Sequence, residues 1–142
     1  MSSFKRVTPD FAVASHLTLA DIAEAAKQGF TRIVNNRPDG EAPDLPTSAQ
    51  AEAAAKAAGL QYTALPFAGS LPPGVVDGTE AWLAESSGPV LAFCRSGTRS
   101  ITAWAFASVW AGRLSPDEAI RLAGEAGYDL SPHLGALTAL KR

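Results

Sequence analysis

Cys94, the only cysteine of the chain, closes the apolar run Val90-Leu91-Ala92-Phe93 and opens the polar run Arg95-Ser96-Gly97-Thr98-Arg99-Ser100. A long uncharged segment, Ile101 to Gly112, follows at once. Strand, cysteine, glycine-containing loop and helix start together make an anion cradle with a nucleophile at its mouth. Backbone N–H groups of such a loop and of the first helical turn point toward an anion. Arg95 and Arg99 add charge and forked donors. The same field favours the thiolate, the form that attacks electrophiles. A free cysteine at a strand end is more commonly a small buried hydrophobe. Gly97, the two arginines and the helix start tip the reading toward a reactive thiol.

The elements that must hold this loop are legible around it. Phe4 to Val7 and Phe11 to Ala14 read as short strands about the Pro9-Asp10 turn. Thr18 with Asp21 makes a capping box for a helix over Leu19 to Gln28, ended by Gly29. Thr31 to Asn35 reads as a buried strand, and a polar, proline-rich loop runs from Asn36 through Pro46. Thr47 with Gln50 opens a helix over Ser48 to Ala58. Gln61 to Phe67 reads as a strand, Val75 to Ser87 as a helix, and Pro89 to Cys94 carries the next strand. Ser115-Pro116-Asp117-Glu118 is a helix start with cap, first-position proline and first-turn acids, and that helix ends near Gly124. Pro132 to Leu140 forms a last helix.

Strands alternating with helices imply a three-layer α/β fold, a mostly parallel central sheet flanked by helices on both faces. Ligands of such sheets bind beyond the carboxyl ends of the strands, where the loops after Asn35 and Phe93 both leave. Trp104, Phe106, Val109 and Trp110 ring the segment after Ile101, which is expected to be a buried central helix. Packed in this way, it would fix the Cys94 loop against its strand.

At 142 residues the chain is expected to form one domain, 1–142, with a core large enough to need no staples. Apolar residues make up 46% and charged residues 18%, a globular composition. A net charge of −2 announces neither nucleic acid nor an anionic membrane as partner. One cysteine excludes an intrachain disulfide and any multi-thiolate zinc site. His16 and His133 lie far apart with no metal-ligand spacing, so no metal or other cofactor is expected. The run Met1 to Arg6 lacks a signal peptide's apolar stretch, and a free reactive thiol fits a reducing compartment; a cytoplasmic protein is expected.

The loop Cys94 to Ser100 resembles two active-site loops. Rhodanese-type sulfurtransferases carry a cysteine, a glycine three residues on and often an arginine two after that. Cysteine-dependent tyrosine and dual-specificity phosphatases place five residues between cysteine and arginine. Here four residues separate Cys94 from Arg99, and Ser100 occupies the position of the phosphatase arginine. A shorter loop suits a guest smaller than phosphate, such as the outer sulfur of a cysteine persulfide. Further segments are Leu17-Thr18-Leu19-Ala20-Asp21-Ile22, Gly29-Phe30, Asn35-Asn36-Arg37-Pro38-Asp39-Gly40-Glu41, Gly59-Leu60 and Pro89 through Ser100. Together they are similar to the bacterial beta-lactamase hydrolase-like protein, phosphatase-like domain family. The resemblance implies a dual-specificity-phosphatase-like fold bearing a rhodanese-like loop. It also implies sulfide and persulfide metabolism, with a persulfide dioxygenase as partner or fusion.

The expected function is therefore a rhodanese-like sulfurtransferase. Cys94 would carry sulfane sulfur from a small-molecule or protein donor to a thiol acceptor. The N–H groups from Arg95 to Ser100, through Ser96, Gly97 and Thr98, would stabilise the persulfide anion, with Arg99 in direct charge contact. Arg95 would recruit an anionic donor, and Ser100 would cap the helix. Arg37 and Asp39 would add to the anion site from the neighbouring loop. The alternative is a cysteine-dependent phosphatase, with Asp39 or Asp77 as general acid. Asp39-Gly40 also reads as an ordinary turn and Asp77 as a complement to its helix N-terminus. The second alternative is an anion- or persulfide-sensing module without turnover.

Overall fold

A computed structural model of the chain describes residues 4–41, 45–85 and 88–140. Its strands are β1 (Lys5–Thr8), β2 (Phe11–Ala14), β3 (Arg32–Asn35), β4 (Gln61–Ala64) and β5 (Val90–Phe93). They form one sheet in the order β1-β2-β5-β3-β4. Only β1 with β2 is antiparallel; β2 with β5, β5 with β3 and β3 with β4 are parallel. The helices are α1 (Leu19–Lys27), α2 (Ser48–Ala57), α3 (Pro73–Glu85), α4 (Thr98–Trp110), α5 (Pro116–Glu125) and α6 (Leu134–Thr138). A 3-10 turn over Ser131–His133 leads into α6.

The pleat sorts the apolar strands to two cores. Phe11, Val13, Val90 and Ala92 face Trp104 of α4 and Ala119 of α5. Ala12, Ala14, Leu91 and Phe93 face Ile22 of α1 and Ala55 of α2. Strands covered on both faces read as unbroken apolar runs, which is why β2 and β5 show no polar alternation. The expected three-layer α/β fold is the one observed. Among the described residues no helix is long and apolar enough to cross a membrane.

Local signals placed most boundaries. Thr18, Thr47 and Ser115 each cap their helix, and each closes a reciprocal box with Asp21, Gln50 and Glu118. Four expectations shift. β4 stops at Ala64 rather than Phe67, where the side chain of Asn36 takes the Leu65 carbonyl at 2.9 Å. α3 begins at Pro73, and Ser87, its expected end, lies outside the described residues. The last expected helix divides into the 3-10 turn and short α6. α4 begins at Thr98, three residues before Ile101, which changes the geometry of the loop described below.

Arg32 sits inside β3 and is buried. It donates to the carbonyls of Trp82 and Gly88, tying the end of α3 to the approach of β5, and its guanidinium lies over the Trp82 ring. Burial pushes that guanidinium below its ordinary value, opposed by the charges of Glu85 and Asp10.

Candidate active site

β5 lies between β2 and β3, so Cys94 emerges at the carboxyl edge between two strand ends. Its N–H donates to the Ala14 carbonyl of β2, and the Asn36 N–H beyond β3 donates to the Phe93 carbonyl at 2.8 Å. The thiol is buried and free. Gly97 then turns the chain with a φ of 91° and serves as the N-cap of α4. That left-handed turn brings the Gly97 N–H to within 3.1 Å of Cys94 Sγ, donating to it. The arrangement is a buried sulfur at a helix N-terminus, with an amide aimed at it.

The outer side of the loop is held from a distant segment. The hydroxyl of Tyr128 donates to the Ser96 carbonyl at 2.9 Å. A Cβ on Gly97 would collide with that same hydroxyl. With the Ser96 carbonyl held outward by Tyr128, the next amide is left facing the sulfur. Burial, and secondarily the charge of Cys94, push the Tyr128 hydroxyl above its ordinary value, so it stays a donor at neutral pH. Ser96 Oγ donates to Thr98 Oγ1 at 3.0 Å, closing the exposed rim.

Arg99, in the first turn of α4, reaches across to the other strand-end loops. It donates to the Phe67 carbonyl at 2.9 Å and to Glu41 Oε1 at 2.8 Å. The hydrogen bond from Arg99 is the main reason the Glu41 carboxyl lies below the ordinary carboxylate range; the charges of Arg99, Arg95 and Arg37 add to it. Conversely, Glu41 and then the charge of Cys94 raise Arg99. Ser100 is buried and donates to Asn36 Oδ1 at 2.8 Å. Asn36 thus ties the end of β3 to α4, while its own carbonyl accepts from Phe67 N–H.

Several expected site residues take other places. Ser100 does not cap α4; it is inside the first turn and bonds Asn36, because Gly97 occupies the cap position. Arg99 bonds Glu41 and Phe67 and not the sulfur. Arg37 is buried, donating to the Pro46 carbonyl with its guanidinium over the Phe93 ring, so it braces the loop and contributes only charge. Asp39 accepts from the Ser48 N–H at 2.7 Å and so completes the N-terminus of α2. Asp77 is exposed on α3 and lines an apolar cleft. Arg95, Ser96 and Thr98 are exposed around the loop. Glu41, Asn36, Phe67 and Tyr128 went unassigned from sequence. The first two stand within the polar run Asn35 to Glu41, but Phe67 and Tyr128 had no local signal.

The model of the family "Beta-lactamase hydrolase-like protein, phosphatase-like domain" matches residues 3–111. The chain belongs to that family. A beta-lactamase hydrolase-like protein of Agrobacterium fabrum (strain C58 / ATCC 33970) is 32% identical over 88% of the chain, which spans 29% of that relative's length. A candidate phosphatase from Neisseria meningitidis Z2491 has a crystal structure with a TM-score of 0.81. It is 29% identical and 96% of each chain is covered. The fold is also that of kinase associated phosphatase, solved with serine in place of its catalytic-site cysteine. There the TM-score is 0.72 at 15% identity, with 96% of this chain and 91% of that one covered.

Membership of the phosphatase-like family overturns the sulfurtransferase reading in favour of its phosphatase alternative. The error lies in what the Cys–Arg spacing measures. Counting from Cys94 to Arg99 treats both residues as loop. In the folded chain the loop ends at Gly97, Arg99 belongs to α4, and its side chain runs sideways to Phe67 and Glu41. The spacing therefore counts helical residues as loop, and it carries no weight against the family assignment.

Proposed function

We propose that the chain is a cysteine-dependent phosphomonoesterase. The observation that carries this reading is the Gly97 N–H on Cys94 Sγ at the N-terminus of buried α4, beside an arginine fixed from two loops. In the reaction, Sγ attacks phosphorus and the bond from phosphorus to the leaving oxygen breaks. The leaving oxygen takes a proton from solvent. Water then attacks the thiophosphate, the S–P bond breaks, and phosphate departs with the thiolate restored. The loop amides and the N-terminal turn of α4 oppose the charge on the equatorial oxygens, with Arg95 and Arg99 adding positive potential.

Among the described residues, neither carboxylate near the site suits proton donation to the leaving group. Glu41 is held ionised by Arg99, and Asp39 is committed to α2. Between substrates that bind equally well, the one whose leaving group departs more readily as an anion should therefore react faster, an aryl phosphate ahead of an alkyl one. Cys94→Ser is expected to abolish 4-nitrophenyl phosphate hydrolysis, and rapid quenching of the wild type should trap a phosphorylated Cys94 by mass. A wild type that hydrolyses no aryl phosphate and forms no phosphoenzyme would sink the reading.

A further inference from the structure

Two clefts meet beside the loop. One, of about 470 Å³, opens at Thr98 and Arg99 and is walled by Ser70, Thr102 and His133. The other, of about 340 Å³, is walled by Pro73, Val76, Trp110 and Leu140, and among the described residues Asp77 is its one charged residue. Leu71 and Phe106 line both, so the two make a single trough.

One face of α4 forms its floor. Thr98, Thr102, Phe106 and Trp110 recur at every fourth residue and so stack along one stripe of the helix. Their chemistry is graded, hydroxyl-bearing near Cys94 and aromatic at the far end. The facing wall repeats the gradient, from Ser70 through Leu71 to Pro73 and Val76. Twelve rises of 1.5 Å from Thr98 to Trp110 make the stripe about 18 Å long. A single phosphotyrosine ring would leave most of it empty.

The geometry points to a phosphomonoester with an elongated apolar leaving group as the substrate class. Its phosphate occupies the Cys94 loop and its apolar body lies along the stripe from Thr98 to Trp110. The assignment rests on the phosphatase reading of the loop. Charge complementarity selects the orientation: Arg99 stands at the polar end, and among the described residues the apolar end offers a phosphate no cation. The partner is a small amphiphilic phosphate rather than a protein, because a trough polar at one end and apolar at the other matches the two ends of such a molecule.

Titration calorimetry of the Cys94→Ser variant with methylphosphonate and octylphosphonate, the latter below its micelle concentration, tests this directly. Octylphosphonate should bind at least about tenfold more tightly, as expected for burying several methylenes. The ratio should fall toward one in Trp110→Ala and, independently, in Val76→Asp. Equal affinities would overturn the proposal, and if aryl phosphates are still hydrolysed through Cys94 the phosphatase reading survives it. A chain-length preference without any Cys94-dependent hydrolysis would overturn it through its premise rather than its geometry. A phosphotyrosine peptide that binds more tightly than octylphosphonate would overturn it in favour of a protein substrate. A concentration-dependent dimer that excludes octylphosphonate would assign the apolar end to a second copy of the chain.

Discussion

Gly97 and Tyr128 decide the shape of the Cys94 loop between them. The backbone at Gly97 is left-handed, and its missing Cβ leaves the space the Tyr128 hydroxyl occupies. Gly97→Ala is expected to cost about 1–3 kcal/mol, from φ strain and from displacing that hydroxyl. Tyr128→Phe should cost about 1 kcal/mol for the hydrogen bond to Ser96. Because both act on one contact, the double variant should lose less than the sum of the two, measured by denaturant unfolding. Additive losses would show that Tyr128 does not brace the loop. Both residues illustrate what a sequence conceals. The glycine stands out in the Cys94 motif, whereas the tyrosine is 31 residues further on and gives no sign of touching it.

At the scale of the element, α4 carries the site. Trp104 is buried and stacks on Phe11 of β2, with centroids 5.7 Å apart and planes 12° from parallel. That contact fixes the helix to the sheet while Ser100 fixes its first turn to Asn36. Trp104→Ala should destabilise the fold by about 3–5 kcal/mol, read from the midpoint of denaturant unfolding. A loss below about 1 kcal/mol would place the anchoring of α4 elsewhere. The uncharged run and its aromatics made this helix visible in the sequence, but its first residue was not. Thr98, Arg99 and Ser100 look like loop by composition; they are helical because Gly97 caps them and the sheet edge holds Asn36 opposite Ser100.

Across the whole molecule, the ion pair of Glu41 with Arg99 joins the loop after β3 to α4 and, through Phe67, to the loop after β4. Because the carboxyl of folded Glu41 lies below its ordinary value, its contribution to stability is fully present above about pH 4.3. It is lost as pH falls through the lower folded value. Carbon-detected NMR should show Glu41 titrating below ordinary glutamate, and Arg99→Ala should return it to the ordinary range. An unshifted Glu41 in the wild type would remove the pair from solution. The sequence by itself determined the strand–helix alternation, the capped helix starts, the two strand-end polar loops and the cysteine between them. Each of those rests on propensities and spacings within a few residues. Only the tertiary structure decided that Arg99 turns to Glu41, that Ser100 turns to Asn36, and that Arg37 and Asp39 brace their own loop. Those partners lie up to 64 residues apart, and the direction of a side chain across a sheet edge is set by packing that no local spacing records. For the same reason the count from Cys94 to Arg99 misled: it measured distance along the chain, whereas the direction in which Arg99 reaches is set by the turn at Gly97 and the start of α4.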